Sequence, residues 1–512
     1  MTSWLVRKAF WDVLGWIKMA ANKPLVIPLP PKTRALIRPV PMRIAIPAIP
    51  IQGILTCSPS EIPADEKSVL HNWFYKFQVW LYSAYSPMQP GLPAISSNPQ
   101  KALKKAFTWL HRTKFDSPEL PPEYLGSPDL GSLAVRGPYA CYVAKVGDGV
   151  YAWDLASLAH YAPHDGLHKL GAKVLFRVDP IRRALQAFQI ETAALGTSTS
   201  ADANWELAKK IALCTATTDV SLVRHFNWVH LVAGAHLAIA TRNRLPAEHA
   251  LCRLLWPYMY GTAQSNDVVT RGQVVPGGEF ETIFSLTHPE MCRLLDDTYR
   301  DFRMIVNDPE EDAKARQIRG DGFDTPTQDN LEAIFRALHE HARRYLRLYY
   351  PDATSGADTQ AIRVDVAVAA WLDELNQLIP NGVGVASSDV MFESLARLVA
   401  RFMYMASVQH EILGGFLWNY QLWTHRQPAR IYVDGRREPL DVYQRLLNAN
   451  YNLNVTRRAL IHDFSYLALD AAGAAELDRF NKELKWLQLS TTHQPWAMWK
   501  LYPQALKVNI NA

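Results

Sequence analysis

The run from Trp228 to Ala240 is the longest apolar stretch of this 512-residue chain, and it constrains the fold more than any other segment. It is too short to span a bilayer, which takes about 20 apolar residues, and His230 and His236 interrupt it. Through residues 220–240 the apolar positions recur at three- and four-residue spacing, so the segment has to be a buried helix. A helix that is apolar on every side needs neighbours on every side. The same spacing supplies them at 70–85, 102–111, 205–214, 330–349, 364–378, 391–423 and 475–489. Runs of β type are few: 140–146, 173–178 and 429–433. The Asp-, Gly- and Pro-rich stretch 309–329 reads as a solvated loop. The expectation is a mainly α fold, one large helical bundle with few short strands.

Composition narrows the function. A chain that is 48% hydrophobic and 20% charged has ample material for a core. Fifty-four basic against 49 acidic residues leave +5, too thin for a nucleic-acid binder, and no basic run appears. Five cysteines form no CxxC pair and are odd in number, which argues against a disulfide framework or zinc knuckle and for a reducing, cytoplasmic setting. The opening residues lack the apolar core and cleavage site of a signal peptide.

Two features precede Ser60. Trp4, Leu5, Phe10, Trp11, Leu14 and Ile17, with Arg7, Lys8 and Lys18, form an amphipathic pattern that can rest in a membrane interface as a peripheral contact or dock on its own core. Between Pro24 and Pro50, eight prolines alternate with apolar residues, which excludes helix and favours an extended segment laid across a surface. The expected organisation is therefore residues 1–60 as amphipathic helix and extended segment, and residues 61–512 as the helical domain.

Sixteen histidines are available, and most need no chemistry. His225 and His230 stand out because both sit in the apolar helix, five residues apart. In a regular helix positions i and i+5 diverge by about 140°. They meet at one ion only where a π-type turn widens the helix, a feature found mostly at functional sites. A buried, hydrogen-bonded histidine pair is the plain alternative.

Around this helix the sequence resembles the lipoxygenase family. Trp205-Glu-Leu-Ala208-Lys209 is similar to the family's Trp-x-x-Ala-Lys, and His225-x4-His230-Leu231-Val232 to part of its histidine helix. Ile239-Ala240-Thr241, Leu245-Pro246, His249, Leu254-Leu255-Trp256-Pro257, Thr262 and Asn266 follow in the family's order. Ala406-Ser407-Val408-Gln409-His410 resembles the segment that carries the third metal-binding histidine. The end of the chain, Leu501-Tyr502-Pro503 to Ala512, resembles the closing segment whose terminal carboxylate binds iron. The resemblance implies a lipoxygenase-like helical domain from about Trp205 onward. It implies one non-haem iron, with manganese the alternative metal, held by His225, His230, His410 and the Ala512 carboxylate. The implied reaction is dioxygenation of a polyunsaturated fatty acid, or of a similarly long acyl chain, to a hydroperoxide. A lipid-binding protein of the same fold without catalysis, or an altered-site oxygenase of a specialised metabolite, are the alternatives.

The pattern has departures. Four residues after His410 the family carries Asn, His or Ser, whereas Gly414 offers no donor, so water or nothing is expected there. Gln264 stands where the family has Ala or Gly, and its bulky amide is expected to narrow or repolarise the substrate pocket. The family's Arg-x-Leu arginine is Asn243. Two registers are open: His225 and His230 as the first two ligands, or Val220 in the first ligand position with His225 second and His230 a non-ligand neighbour. His236 is read as a core histidine. Glu411 is a weak candidate for an extra oxygen ligand. Asp321, Asp324 and Asp329 make too short a calcium-like pattern and are read as loop acids.

Overall fold

From Trp205 to Arg244 the backbone is helical without a break: α1 (Trp205–Thr218), a π-helix (Asp219–Gly234) and α2 (Ala235–Arg244). This computed structural model describes residues 27–67, 90–107, 119–320, 322–351, 360–415, 417–454, 459–491 and 501–508, with scattered positions between 5 and 13. Nearly every side chain of the π-helix is buried, as a helix apolar on all sides requires. Around this axis stand α3 (Ala250–Met259), α4 (Thr262–Gln273), α5 (His288–Tyr299), α6 (Pro326–Tyr349), α7 (Val366–Leu378), α8 (Phe392–Tyr404) and α9 (Ala471–Thr491). Helix α5 packs on the π-helix and α7 on α2, while α6 lies between α8 and α9. Helix α6 turns Ile334, Phe335, Leu338, Ala342, Tyr345 and Leu346 inward, one stripe at helical spacing.

The mainly helical expectation holds. The helix expected at 70–85 lies outside the described residues, as does part of that at 102–111. The stretch 309–329 differs from its reading as loop. Pro309–Arg316 is a helix, capped by the Asp308 side chain at the Glu311 N–H (3.2 Å), with three acids in its first turn and two bases in its last. Helix α6 likewise begins on a proline, which supplies a preset φ and no N–H to waste. Loop-like composition here was helix-start chemistry. Asp324 pairs with Arg183 and Asp329 with Arg319; Asp324 lies outside the helices as read, whereas Asp329 belongs to the first turn of α6 rather than to a loop.

Strands are more extensive than the sequence implied. β3 (Ala144–Gly147), β4 (Val150–Asp154), β5 (Ala172–Asp179), β6 (Ala184–Thr192) and β7 (Gly196–Thr199) form an antiparallel meander in chain order. Only β5 was read closely. The run 140–146 becomes a strand only from Ala144, because Gly137–Cys141 is a 3₁₀ turn. The run 429–433 contributes one bridge, Tyr432 to Leu167.

The proline-rich segment runs extended across the bundle, as expected, and drives Ile27, Met42, Ile49, Ile51 and Ile54 into the core. A two-stranded ladder closes it, β1 (Val40–Pro41) against β2 (Leu55–Thr56). One helical turn, Met42–Ala45, fits between Pro41 and Pro47, so the prolines exclude long helix rather than all helix. Two clasps hold the segment. Asn243 accepts from the Ile37 N–H (2.8 Å) and donates to the Ile37 carbonyl (2.9 Å). Glu66, fully buried, pairs with Arg242 at 2.5 Å and accepts the N–H groups of Ala263 and Gln264 at the start of α4. Of the N-terminal amphipathic pattern, Phe10 packs against the core while Leu5, Val6 and Val13 are exposed; Trp4, Trp11 and Leu14 lie outside the described residues.

Candidate metal centre

The π-helix brings His225 and His230 together as an α-helix cannot. Its i→i+5 hydrogen bonding widens the coil, so residues five apart return to nearly the same face. The two Nε2 atoms lie 3.2 Å apart. His410 enters from the far end of α8, where the helix also widens, through Met405–Gln409 and Glu411–Gly415. Its Nε2 lies 3.1 Å from that of His230. Ring centroids are 4.8 to 4.9 Å apart in all three pairs. The rings are buried, at 6%, 2% and 0% exposure, and the Phe226 ring lies 6.1 Å from that of His230 between centroids.

The outer nitrogens fix which edge faces inward. Asn266 donates its amide N–H to the His230 carbonyl at 2.8 Å, which orients the amide and leaves Oδ1 toward His230 Nδ1 at 3.1 Å. An amide oxygen only accepts, so Nδ1 carries the proton and Nε2 presents a lone pair. His410 Nδ1 lies 3.4 Å from the Glu411 carboxylate, which assigns its proton in the same way. Two nitrogen lone pairs facing each other at 3.1 Å repel unless a cation sits between them. Nitrogen ligands about 2.1 Å from a metal and roughly at right angles are about 3 Å apart, close to the separations seen. Among the described residues, these three histidines are the group of potential ligands that converges in this way, and the donor set fits a first-row transition metal.

The described geometry gathers the histidines of the first register. Val220 is a fully buried aliphatic residue with no donor. Ala512 lies outside the described residues; the preceding segment is anchored, with Leu501 and Val508 buried and the Leu501 carbonyl accepting from Asn330 at 2.6 Å. Gln264 is buried in α4, two residues before Asn266. His236 stands apart from the cluster: its Nε2 faces the Leu55 carbonyl at 3.3 Å, and burial pushes its pKa down to about 4. Glu411 lies beside His410 but outside the converging group, so its geometry is that of an orienting partner rather than a ligand.

The sequence reading missed four supports. Asn266, noted only as part of a motif, fixes the tautomer of His230. Asp219, at the start of the π-helix, accepts from the Tyr142 hydroxyl at 2.7 Å and lies 3.6 Å from Arg224; burial raises its carboxyl pKa against the pull of both. Arg242 stacks over Trp256 at 4.6 Å while holding Glu66. Gly414 is the fourth. A Cβ built there would lie 2.4 Å from His225 Nε2, so the ring edge of His225 occupies the space expected to hold water or nothing.

Residues 179–430 match the Lipoxygenase family model. A manganese lipoxygenase of Pleurotus sapidus is 21% identical over 232 residues, covering 44% of this chain and 36% of that protein. The polyunsaturated fatty acid lipoxygenase ALOX8 of Mus musculus is 23% identical over 236 residues, covering 45% of this chain and 33% of its own. The matches thus span about a third of these relatives. Among solved structures, a calcium-dependent 11R-lipoxygenase superposes with a TM-score of 0.72 at 14% identity, covering 97% of this chain and 80% of that one. The manganese lipoxygenase of Gaeumannomyces graminis gives 0.68 at 14% identity, with 90% and 94% coverage. These likenesses establish the helical fold, and the ordered motifs that flank the three imidazoles fall largely inside the matched region. Residues 179–430 thus carry a lipoxygenase-family domain, and manganese lipoxygenases are among the proteins the chain is similar to.

Proposed function

We propose that the protein is a lipoxygenase-type dioxygenase that forms hydroperoxides from a polyunsaturated fatty acid or a similarly long acyl chain. One observation carries the reading: three imidazole Nε2 atoms, drawn from segments 180 residues apart, meet in a buried interior, with the outer nitrogens of His230 and His410 assigned to protons. On this reading His225, His230 and His410 hold the metal, the Ala512 carboxylate adds an oxygen donor, and Gln264 contacts the substrate. Bound there, iron or manganese supplies one-electron redox chemistry toward an activated C–H bond and dioxygen. The chain's own part is to orient the rings of His230 and His410 through Asn266 and Glu411, to shield them with buried neighbours such as Phe226, and to keep the acyl chain in an apolar setting. Peripheral membrane contact through the N-terminal helix is part of the proposal, supported by the exposed Leu5, Val6 and Val13. So is a cytoplasmic setting, which the five free cysteines support.

Metal analysis of protein with a free C-terminus, after reconstitution, tests the centre. Near-stoichiometric iron or manganese is expected, and only trace metal overturns it. Linoleate and arachidonate should give conjugated-diene absorbance. Gly414, which brings no side-chain donor to the centre, favours a second reading, a lipid-binding protein of the same fold. Saturable fatty-acid binding without diene formation is the outcome that would select it.

A further inference from the structure

Two adjacent glycines end the widened segment after His410, and neither serves a turn. Gly414 and Gly415 lie within helical backbone, where glycine is less favourable than alanine. What they provide is space. At Gly414 a Cβ would stand 2.4 Å from His225 Nε2, 2.6 Å from Cε1 and 3.0 Å from Cδ2, the edge of the ring that faces the other two histidines. At Gly415 a Cβ would stand 2.4 Å from one Glu411 carboxylate oxygen, while the other oxygen lies 3.4 Å from His410 Nδ1. Real Cβ contacts do not come this close, so something must shift: the buried His225 ring in one case, and in the other the buried Glu411 carboxylate, whose displacement alters its approach to His410.

We infer that Gly414 and Gly415 are positioning residues of the metal centre. Gly414 admits the ring of His225, and Gly415 admits the carboxylate that orients His410. Both therefore set imidazole geometry without touching a metal themselves. The inference rests on the metal reading above and adds a constraint to it. A side chain at position 414 and the ring of His225 at its observed place exclude each other, so an asparagine there displaces a ligand instead of adding one.

The test uses the full chain with a free C-terminus. Thermal unfolding of metal-stripped protein is measured for wild type, Gly414→Ala, His225→Ala and the double variant. Mn(II) affinity is measured by chelator competition for the same set and for Gly414→Asn, Gly415→Ala and Glu411→Gln. Gly414→Ala should lower the unfolding midpoint by a few degrees in the wild-type background and leave it unchanged or raise it where His225 is alanine. Gly414→Ala and Gly414→Asn should each weaken Mn(II) binding about tenfold or more, and Gly415→Ala and Glu411→Gln should weaken it to a similar degree as each other. An equal loss of stability in both backgrounds overturns the assignment of Gly414. So does Gly414→Asn with unchanged or tighter binding. Unchanged binding in Gly415→Ala and Glu411→Gln overturns that of Gly415. Wild-type protein that fails to bind Mn(II) refutes the metal reading instead, because the unfolding comparison reports the His225 contact without metal.

Discussion

Asn266 grips His230 at both ends: its amide nitrogen donates to the His230 carbonyl at 2.8 Å and its oxygen stands 3.1 Å from the same residue's Nδ1. One side chain thereby fixes backbone, ring orientation and tautomer together. Partners of this kind are worth about 10–100-fold in metal affinity. Asn266→Leu should lower iron or manganese affinity within that range while the protein still folds. Chelator competition with a circular-dichroism control checks it. Affinity equal to wild type would mean the tautomer is fixed by something else.

The register of the histidine helix has a direct test. His230→Ala should reduce bound metal to trace levels, and Val220→Ala, which only trims a core side chain, should leave the stoichiometry intact at a stability cost of about 1–3 kcal/mol. Retained metal in His230→Ala would restore the register in which His230 is a bystander.

His236 predicts an acid sensitivity separate from the metal. Its Nε2 donates to the Leu55 carbonyl, and its Nδ1 is buried without a partner. Protonation would therefore place an uncompensated charge in the core, and burial depresses the pKa from 6.5 to about 4. A histidine with a depressed folded pKa contributes stability above the unfolded value and loses it as pH falls. The loss should run between pH 6.5 and about 4 and total on the order of 3 kcal/mol. Urea unfolding of metal-free wild type and His236→Gln across that range should show the steeper decline in wild type; parallel curves would remove His236 as the cause.

Arg242 and Glu66 make a second prediction about stability. Glu66 is wholly enclosed and Arg242 almost so, and Asp65 shares the guanidinium at 2.8 Å. Arg242→Ala should cost roughly 3–5 kcal/mol, because it leaves buried carboxylates without a counter-charge. Adding Glu66→Gln should recover part of that loss. Denaturant unfolding of the two variants decides it, and no recovery would show that packing on Trp256 carries the effect.

Much of the helical core could be read from residue spacing, whereas the gathering of the three histidines was implied by the resemblance to the lipoxygenase family. The five-residue interval between His225 and His230 allows the rings to meet at one ion only where the helix widens, and the structure has a widened segment sixteen residues long. The extended proline-rich segment was legible for the same reason: proline removes donors and fixes φ. What escaped was short or depended on distant partners. Strands β3, β4 and β7 are four or five residues each, too brief for alternation to separate them from loop. Helix starts at Pro309 and Pro326 carried the same residues as turns. The clasps of Asn243 on Ile37 and of Arg242 on Glu66 join positions about 200 and 176 residues apart, and no local pattern announces them. The role of Gly414 was hidden because a missing atom has meaning only once its neighbour is placed.

The widened coil also governs what comes after it. Each residue of an ordinary helix advances the azimuth by about 100°, so the extra backbone taken up between Asp219 and Gly234 sets the angle at which α2 leaves the centre. Arg242 and Asn243 meet Glu66 and Ile37 at that angle. Shortening the coil by one residue to an ordinary histidine spacing could keep the two rings paired, yet it would swing both clasps off the N-terminal segment. Metal chemistry and the fastening of a remote stretch of chain are geared to a single rotation, and neither can drift in sequence length alone.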